Sequence, residues 1–190
     1  MRVIVGLGNP GIEYKKTRHN VGEFYLGKLR NSWSDKDFSE GRAADWLETE
    51  IGSTKICLIF PKEFMNESGA SLKKALKTLK LKPKPEDILV IHDDLDIEFG
   101  RVKLSFAKAS AGHKGVESII TSLKSGQFWR LRVGIAPKKK PEPKKVVDFL
   151  LKKFTPAEER TLNKNFKKIL GGLEVWLEKP NRAVSIINSL

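Results

Sequence analysis

The stretch that decides the fold stands at the start of the chain and reads Arg2-Val-Ile-Val-Gly-Leu-Gly-Asn-Pro-Gly11. A short apolar run followed directly by a glycine-rich turn is typical of the first strand of an α/β protein and of the loop at its carboxyl end. Open α/β sheets usually bind their ligands outside this end of the strands. We therefore expect the turn to expose Asn9 at a binding site.

The glycines of this turn also match the dinucleotide-binding pattern G-x-G-x-x-G. Three features count against that reading. Pro10 removes an amide N–H from the region that would hold a pyrophosphate, Glu13 adds negative charge there, and no strand ending in an acidic residue follows about 20 residues later. The run Glu23 to Arg30 looks helical instead. A nucleotide cofactor is thus disfavoured, and we predict that the protein needs no cofactor.

Beyond the first turn, short apolar runs alternate with helical patterns, which predicts an α/β fold in a single domain over residues 1–190. The candidate strands are Arg2 to Val5, Ala44 to Ile51, Lys55 to Phe60, Asp87 to Ile91, Arg101 to Ala107 and Arg130 to Ala136. The candidate helices are Asn20 to Ser32, Ser68 to Lys80 and Lys114 to Ser125. Two of the strands meet around Gly52-Ser53 and can pair antiparallel, so we expect a mixed twisted sheet flanked by helices.

The last third of the chain contains a basic, proline-interrupted stretch, Lys138 to Lys145, for which we expect a mobile loop. Thr155-Pro-Ala-Glu158 then has the residues of a helix start: a threonine cap, a proline at the first helical position and a glutamate three residues after the cap. An apolar stripe predicts that this helix packs on the domain. Gly171-Gly172 predicts either a kink or a close approach of another segment.

The charge of the chain limits its partners. An excess of lysine and arginine gives a formal net charge of +13, and such a surplus attracts polyanions, so nucleic acid is the first partner to consider. The alternative is an ordinary solvated lysine-rich surface. The single cysteine, Cys57, lies in an apolar run and excludes an internal disulfide framework. The apolar runs are too short for a signal peptide or for the about 20 residues of a membrane span, so we expect a cytoplasmic protein with no membrane partner.

The residues also indicate a chemistry. The chain has three histidines, and His19 lies in the polar cluster Thr17-Arg-His-Asn20. An imidazole can take and give a proton near neutrality, a carboxylate such as Asp93 can orient it, and the amides of Asn9 and Asn66 can donate to a developing oxyanion. Because no serine or cysteine stands in a recognisable nucleophile motif, these residues favour hydrolysis by an activated water.

The residue types alone leave alternatives open at each position. His19 can be a helix-end residue, Asp93 and Asp94 end a candidate strand where one of such a pair usually caps a turn, and Asn9 can serve the turn itself. His92 and His113 flank candidate site residues. The histidines and carboxylates show no clear metal-ligand spacing, so we predict no metal.

A series of sequence blocks between residues 3 and 150 resembles the bacterial-type peptidyl-tRNA hydrolases. One such block would be weak support, whereas the series occurs in the same order as in that family and covers most of the chain. The blocks are Val5-Gly-Leu-Gly-Asn-Pro-Gly11, Thr17-Arg-His-Asn-Val-Gly22, Phe64-Met-Asn-Glu-Ser-Gly69, His92-Asp-Asp-Leu-Asp96, Ala111-Gly-His-Lys-Gly115, Arg130-Leu-Arg-Val-Gly-Ile135 and Val146-Val-Asp-Phe-Leu150.

The resemblance implies a monomeric α/β enzyme that hydrolyses the ester between peptide and tRNA and so recycles tRNA. It implies that His19 is the catalytic base and that Asp93 is its carboxylate partner. It places the substrate-binding residues at Asn9, Tyr14, Met65, Asn66 and Lys114, and the tRNA phosphate contacts at Lys103 and Arg132. Recognition of the acceptor stem and the CCA end would then rest on shape and phosphates.

Two positions depart from the family pattern. Lys114 stands where the family has an asparagine that positions water or substrate. A lysine there keeps a donor, loses an acceptor and adds a charge that would lower the pKa of His19. Ser105 stands where we expect another basic residue. A competing hypothesis is therefore an RNA-binding module with little or no hydrolysis, although Asn9, His19, Asn66 and Asp93 are all intact.

Overall fold

The computed structural model describes residues 1–189, which form one six-stranded sheet flanked by helices. The strand order is β2-β3-β1-β4-β6-β5. The four inner strands run parallel to one another, and each edge strand pairs antiparallel with its neighbour. The predicted α/β domain with a mixed sheet is thus confirmed. The strands are β1 (Arg2–Gly6), β2 (Ala44–Ile51), β3 (Thr54–Pro61), β4 (Ile88–Glu98), β5 (Val102–Phe106) and β6 (Trp129–Ala136).

Helices cover both faces of the sheet. They are α1 (Val21–Trp33), α2 (Ser68–Thr78), α3 (Lys114–Leu123), α4 (Val146–Leu151), α5 (Pro156–Glu178) and α6 (Pro180–Asn188). The alternation of side chains along a strand divides the interior into two cores. In β1, Ile4 packs into the core with α1, α5 and α6, whereas Val3 and Val5 pack into the core with α2 and α3. Short 3₁₀ turns at Ile12–Tyr14, Arg18–Asn20, Met65–Glu67, Pro85–Asp87 and Pro143–Lys145 connect the elements.

The expected end of the fourth strand at Ile91 is wrong, because β4 continues to Glu98. Its backbone pairs with β6 through Asp94, and the register shifts between Asp94 and Glu98. Asp93 and Asp94 therefore lie inside the strand and not at its end. Hydrophobic patterning missed this extension because the buried carboxylates are held by side-chain partners from other segments, which a local pattern does not record.

The carboxyl-terminal third differs from expectation in two places. The basic stretch Lys138 to Lys145, expected to be a loop throughout, ends in a 3₁₀ turn that leads directly into α4, and neither α4 nor α6 was predicted. The predicted threonine cap and capping box at the start of α5 are present. Of the two alternatives for Gly171-Gly172, the structure favours close approach, since a Cβ at Gly172 would clash with Ile187 of α6.

Within residues 1–189, no helix has both the length and the apolar character that crossing a membrane requires.

Candidate active site

The site forms where β1 ends, beside the middle of β4 and the start of α1. Leu7 donates its backbone N–H to the Ile91 carbonyl at 3.0 Å, and its own carbonyl accepts from Glu23 of α1 at 3.0 Å. A Cβ at Gly22 would clash with the backbone of Leu7 and with the Ile91 oxygen, so only glycine lets α1 begin this close to the sheet. This contact places the Arg18–Asn20 turn, with His19, at the carboxyl edge of the sheet.

Two asparagines tie the glycine-rich turn to the His19 turn. Asn9 donates its backbone N–H to Oδ1 of Asn20 at 3.0 Å, and Nδ2 of Asn20 donates to the Asn9 carbonyl at 2.8 Å. The side-chain oxygen of Asn9 accepts from the backbone N–H of Met65 at 2.9 Å. Because that oxygen is engaged, the NH₂ group is the part of the Asn9 side chain that can donate to a ligand.

The centre of the site is the Asp93 carboxylate, which is 3% exposed. Nδ1 of His19 lies 2.8 Å from Asp93 Oδ1, and Nε2 of His113 lies 3.0 Å from the same oxygen. The backbone N–H of Val116 donates to Nδ1 of His113 at 3.3 Å, so that imidazole carries its proton on Nε2 and donates it to Asp93. His19 likewise donates from Nδ1, which leaves its Nε2 as a free acceptor and hence as a base.

Charge and burial act against each other in this cluster. Burial disfavours the Asp93 carboxylate, yet its electrostatic interactions and hydrogen bonds with His19 and His113 outweigh burial and hold the pKa of Asp93 well below its usual range. For His19, burial favours the neutral form, but the charge and hydrogen bond of Asp93 prevail and raise its pKa, while Lys114 opposes them. Burial, with smaller contributions that include the charge of His113, lowers the pKa of His92 well below its ordinary value and keeps it neutral.

A cleft of about 600 Å³ opens over this cluster. Its lining contains six of the predicted site residues, namely Asn9, His19, Met65, Asn66, Asp93 and Lys114, of which all but Met65 are polar. Apolar side chains form another part of its lining, in particular Phe64, Val146, Val147, Leu150 and Leu151. Polar groups that can act on an ester thus stand beside a surface that can bind apolar groups.

Three predicted site residues do not line the cleft. The ring of Tyr14 lies edge-on to that of Phe64, which lines the cleft, with 6.3 Å between ring centroids. Lys103 and Arg132 lie opposite each other on β5 and β6. Nε of Arg132 contacts Oδ2 of Asp94 at 2.7 Å, and Asp94 does line the cleft. The two basic residues are therefore next to the site.

Sequence reasoning missed the contact between His113 and Asp93 and the contribution of α4 to the cleft. A usable signal existed for His113, because it is one of only three histidines and lies in the glycine-flanked segment Gly112 to Gly115. For α4 the only signal was the family block Val146-Val-Asp-Phe-Leu150, and its apolar residues by themselves read equally well as ordinary core.

The same cluster has to be considered as a metal site. One ligand atom from each of His19, Asp93 and His113 lies within 4.8 Å of the others. Both imidazoles direct a nitrogen at one carboxylate oxygen, and the hydrogen bonds account for this arrangement without an ion. The absence of a metal stays a prediction.

Comparison with known proteins gives one consistent result. The family model described as peptidyl-tRNA hydrolase matches residues 3–190. A peptidyl-tRNA hydrolase of Aquifex aeolicus is 38% identical over 189 residues, which cover 99% of this chain and 96% of that protein. One of Bacillus cereus is 37% identical over 184 residues, covering 95% of each. A crystal structure of peptidyl-tRNA hydrolase from Acinetobacter baumannii superposes with a TM-score of 0.90 at 28% identity, covering 100% of this chain and 95% of that one.

Proposed function

This chain belongs to the peptidyl-tRNA hydrolase family, and we propose that it hydrolyses the ester that joins a peptide to the 3′ end of tRNA, with a water molecule activated by His19 and Asp93. The observation that carries the proposal is the 2.8 Å contact between Nδ1 of His19 and Asp93 at the floor of an open cleft. It leaves Nε2 of His19 available to a water molecule. A general base placed in this way typically contributes about 10²–10⁴-fold to the rate.

The proton follows a simple path in this mechanism. His19 takes a proton from water at Nε2 while the water oxygen attacks the ester carbonyl. Asp93 stabilises the imidazolium that forms. The bond between the carbonyl carbon and the ribose oxygen then breaks, and His19 returns the proton to that oxygen. The products are the 3′-hydroxyl of tRNA and a peptide carboxylic acid, which keeps the second hydrogen of the water and releases it to the solvent as it ionises.

His113 supports this mechanism through its contact with Asp93. It donates to the same oxygen of Asp93 as His19 does, and the backbone of Val116 fixes its tautomer. A carboxylate held by two donors stays ionised and cannot rotate away from His19. His113 therefore acts as a positioning residue for Asp93.

The asparagines are the donors for the rest of the ester. With its oxygen engaged by Met65, Asn9 can present only its NH₂ group, which suits a carbonyl oxygen that gains negative charge. The exposed Asn66 can bind the ester or the peptide backbone. Backbone contacts would serve an enzyme that accepts many peptide sequences, and the apolar side chains of α4 would receive peptide side chains.

The tRNA would lie along the basic edge of the sheet. Lys103 is exposed, and it faces the same side as Arg132, which is partly neutralised by Asp94. Lys114 is exposed at the start of α3 and lines the cleft, so its ammonium can reach both the site and a phosphate near the CCA end. The net charge of +13 supports a polyanionic substrate.

The proposal is tested by single-turnover cleavage of an N-blocked aminoacyl-tRNA, with His19→Ala as the matched variant. We expect fast cleavage by the native chain and a loss of about 10²–10⁴-fold in the variant, with tRNA binding retained. The competing RNA-binding module predicts salt-sensitive binding of tRNA with no cleavage by either protein. Equal cleavage by both proteins would exclude His19 as the base.

Several further properties stay predictions: action as a monomer, a cytoplasmic location, and hydrolysis without a metal or other cofactor. Sedimentation of the purified protein and activity after exhaustive chelation would test the first and the last.

A further inference from the structure

The side chain of Arg18 is buried although its neighbour His19 lines the cleft. The residue is 8% exposed, and its guanidinium lies between three segments. Nη1 donates to the carbonyl oxygens of Lys152 and Lys153 at 3.2 Å each. Both residues directly follow Leu151, the last residue of α4, so the guanidinium holds the chain at the point where α4 ends.

Arg18 also binds the start of α5. Nη2 contacts both carboxylate oxygens of Glu158, at 2.9 and 3.1 Å. The same carboxylate accepts the backbone N–H of Thr155 at 2.7 Å, so it completes the capping box of α5 while it pairs with Arg18. The guanidinium carbon lies 4.5 Å from the ring centre of Phe149 and 5.5 Å from that of Phe154.

Backbone hydrogen bonds also join the Arg18 turn to the segment between α4 and α5. The N–H of Arg18 donates to the Lys152 carbonyl at 3.1 Å, and the N–H of Phe154 donates to the Lys16 carbonyl at 2.9 Å. Arg18 shares a 3₁₀ turn with His19, and α4 supplies apolar lining to the cleft. One buried residue thus connects the turn that carries His19 to the helix that lines the cleft.

We propose that Arg18 is a positioning residue that sets the position of α4 relative to His19 and thereby controls how the peptide part of the substrate is held for hydrolysis. The inference rests on the proposed function. The fork geometry of arginine is essential to it, because two carbonyls, a bidentate carboxylate and an aromatic face are engaged together. A lysine ammonium keeps the charge but cannot match this set of contacts.

The chain offers a matched pair of variants for the test. Glu158→Gln removes the charge that faces Arg18, and glutamine at this position can still complete a capping box. Glu159→Gln is the control, because Glu159 pairs with Lys16 at 3.1 Å on the surface and joins the same two segments. Arg18→Lys is the third variant. Thermal unfolding and circular dichroism establish which variants are folded.

Each folded protein is assayed on two substrates, an N-acetylglycyl-tRNA and a tRNA that carries a tripeptide of apolar residues. We expect Arg18→Lys and Glu158→Gln to lose kcat/KM on the tripeptidyl substrate by about tenfold to a hundredfold, since small misplacements near a reacting group cost this much. The loss on N-acetylglycyl-tRNA should be several-fold smaller. Glu159→Gln should leave the ratio between the two substrates as in the native chain.

A merely structural role predicts a different pattern. In a folded variant, kcat/KM would then fall by the same factor on both substrates or would fall on neither. Either result would overturn the proposal. If Arg18→Lys does not fold, the ratio of kcat/KM values on the two substrates is taken from Glu158→Gln, and that ratio tests the proposal. If the proposed function itself is wrong, the native chain cleaves neither substrate, and this result differs from both outcomes that would overturn the role of Arg18.

Discussion

The buried cluster of Asp93, His19 and His113 and the exposed basic edge with Lys103 and Lys114 use charge in opposite ways. In the cluster every charge has a defined partner, and the Asp93 carboxylate is 3% exposed between two imidazole donors. Along the basic edge the lysines are exposed and solvated. A buried charge without its partners is costly, whereas an exposed lysine contributes to a diffuse field that depends little on its position.

The positions at which the sequence departs from the family pattern can be compared with these two regions. Ser105 and Lys114 lie outside the cluster of Asp93, His19 and His113, and the residues of that cluster match the pattern. Ser105 lies opposite Arg130, whose guanidinium is buried and donates to the Ala109 carbonyl at 2.8 Å. A surface that neutralises phosphates tolerates relocation of its cations, whereas a hydrogen-bonded base does not.

The largest expected effect is that of Asp93→Asn. The amide keeps the shape but removes the charge that raises the pKa of His19, and its NH₂ group can face Nδ1 of His19 and favour the wrong tautomer, so single-turnover cleavage should fall by about 10²–10⁴-fold. Because Asp93 raises that pKa, its loss should move the acidic limb of the pH profile to lower pH. Asp37→Asn, an exposed carboxylate, serves as control. A native rate in the variant would contradict the mechanism.

His113→Ala tests whether the cluster acts as a unit. It removes one of the two donors to Asp93 Oδ1, and a hydrogen bond to a charged group is worth about 1.5–3 kcal/mol, so we expect a rate loss of about tenfold to a hundredfold. His113→Gln can donate to Asp93 again and should recover part of the rate. Cleavage that is unchanged in the alanine variant would show that His19 and Asp93 suffice.

On the exposed edge, Lys103→Gln should weaken tRNA binding and leave the chemistry at His19 intact. If Lys103 neutralises one phosphate, the slope of log affinity against log salt should fall in magnitude by about 1. Lys73→Gln on α2, an exposed lysine away from the site, is the control. If the slope of log affinity against log salt is the same for both variants, Lys103 does not contact a tRNA phosphate.

The smallest expected effect is that of Lys114→Asn, which restores the residue type of the family pattern. Lys114 lowers the pKa of His19, so its removal should raise that pKa further and move the acidic limb to higher pH, by less than about one pH unit. The measurement is the pH profile of kcat/KM. A shift to lower pH would mean that the ammonium does not act on His19.

Much of the fold could be read from local patterns. The first strand, the antiparallel pair around Gly52-Ser53 and the capping box at Thr155 depend on residues close in sequence, and the structure has all three. The end of β4 and the helices α4 and α6 could not be read in this way. Their stability depends on contacts with distant segments, such as the packing of Gly172 on Ile187.

The sequence by itself determined the α/β class, the polar residue types at the site and, through the ordered blocks, the family. The structure alone decided which atoms meet: the sharing of one Asp93 oxygen by His19 and His113, and the connection of Arg18 to α4 and α5. The physical reason is distance along the chain. Propensity and periodicity act over a few residues, whereas Asp93 is 74 residues from His19 and Glu158 is 140 residues from Arg18.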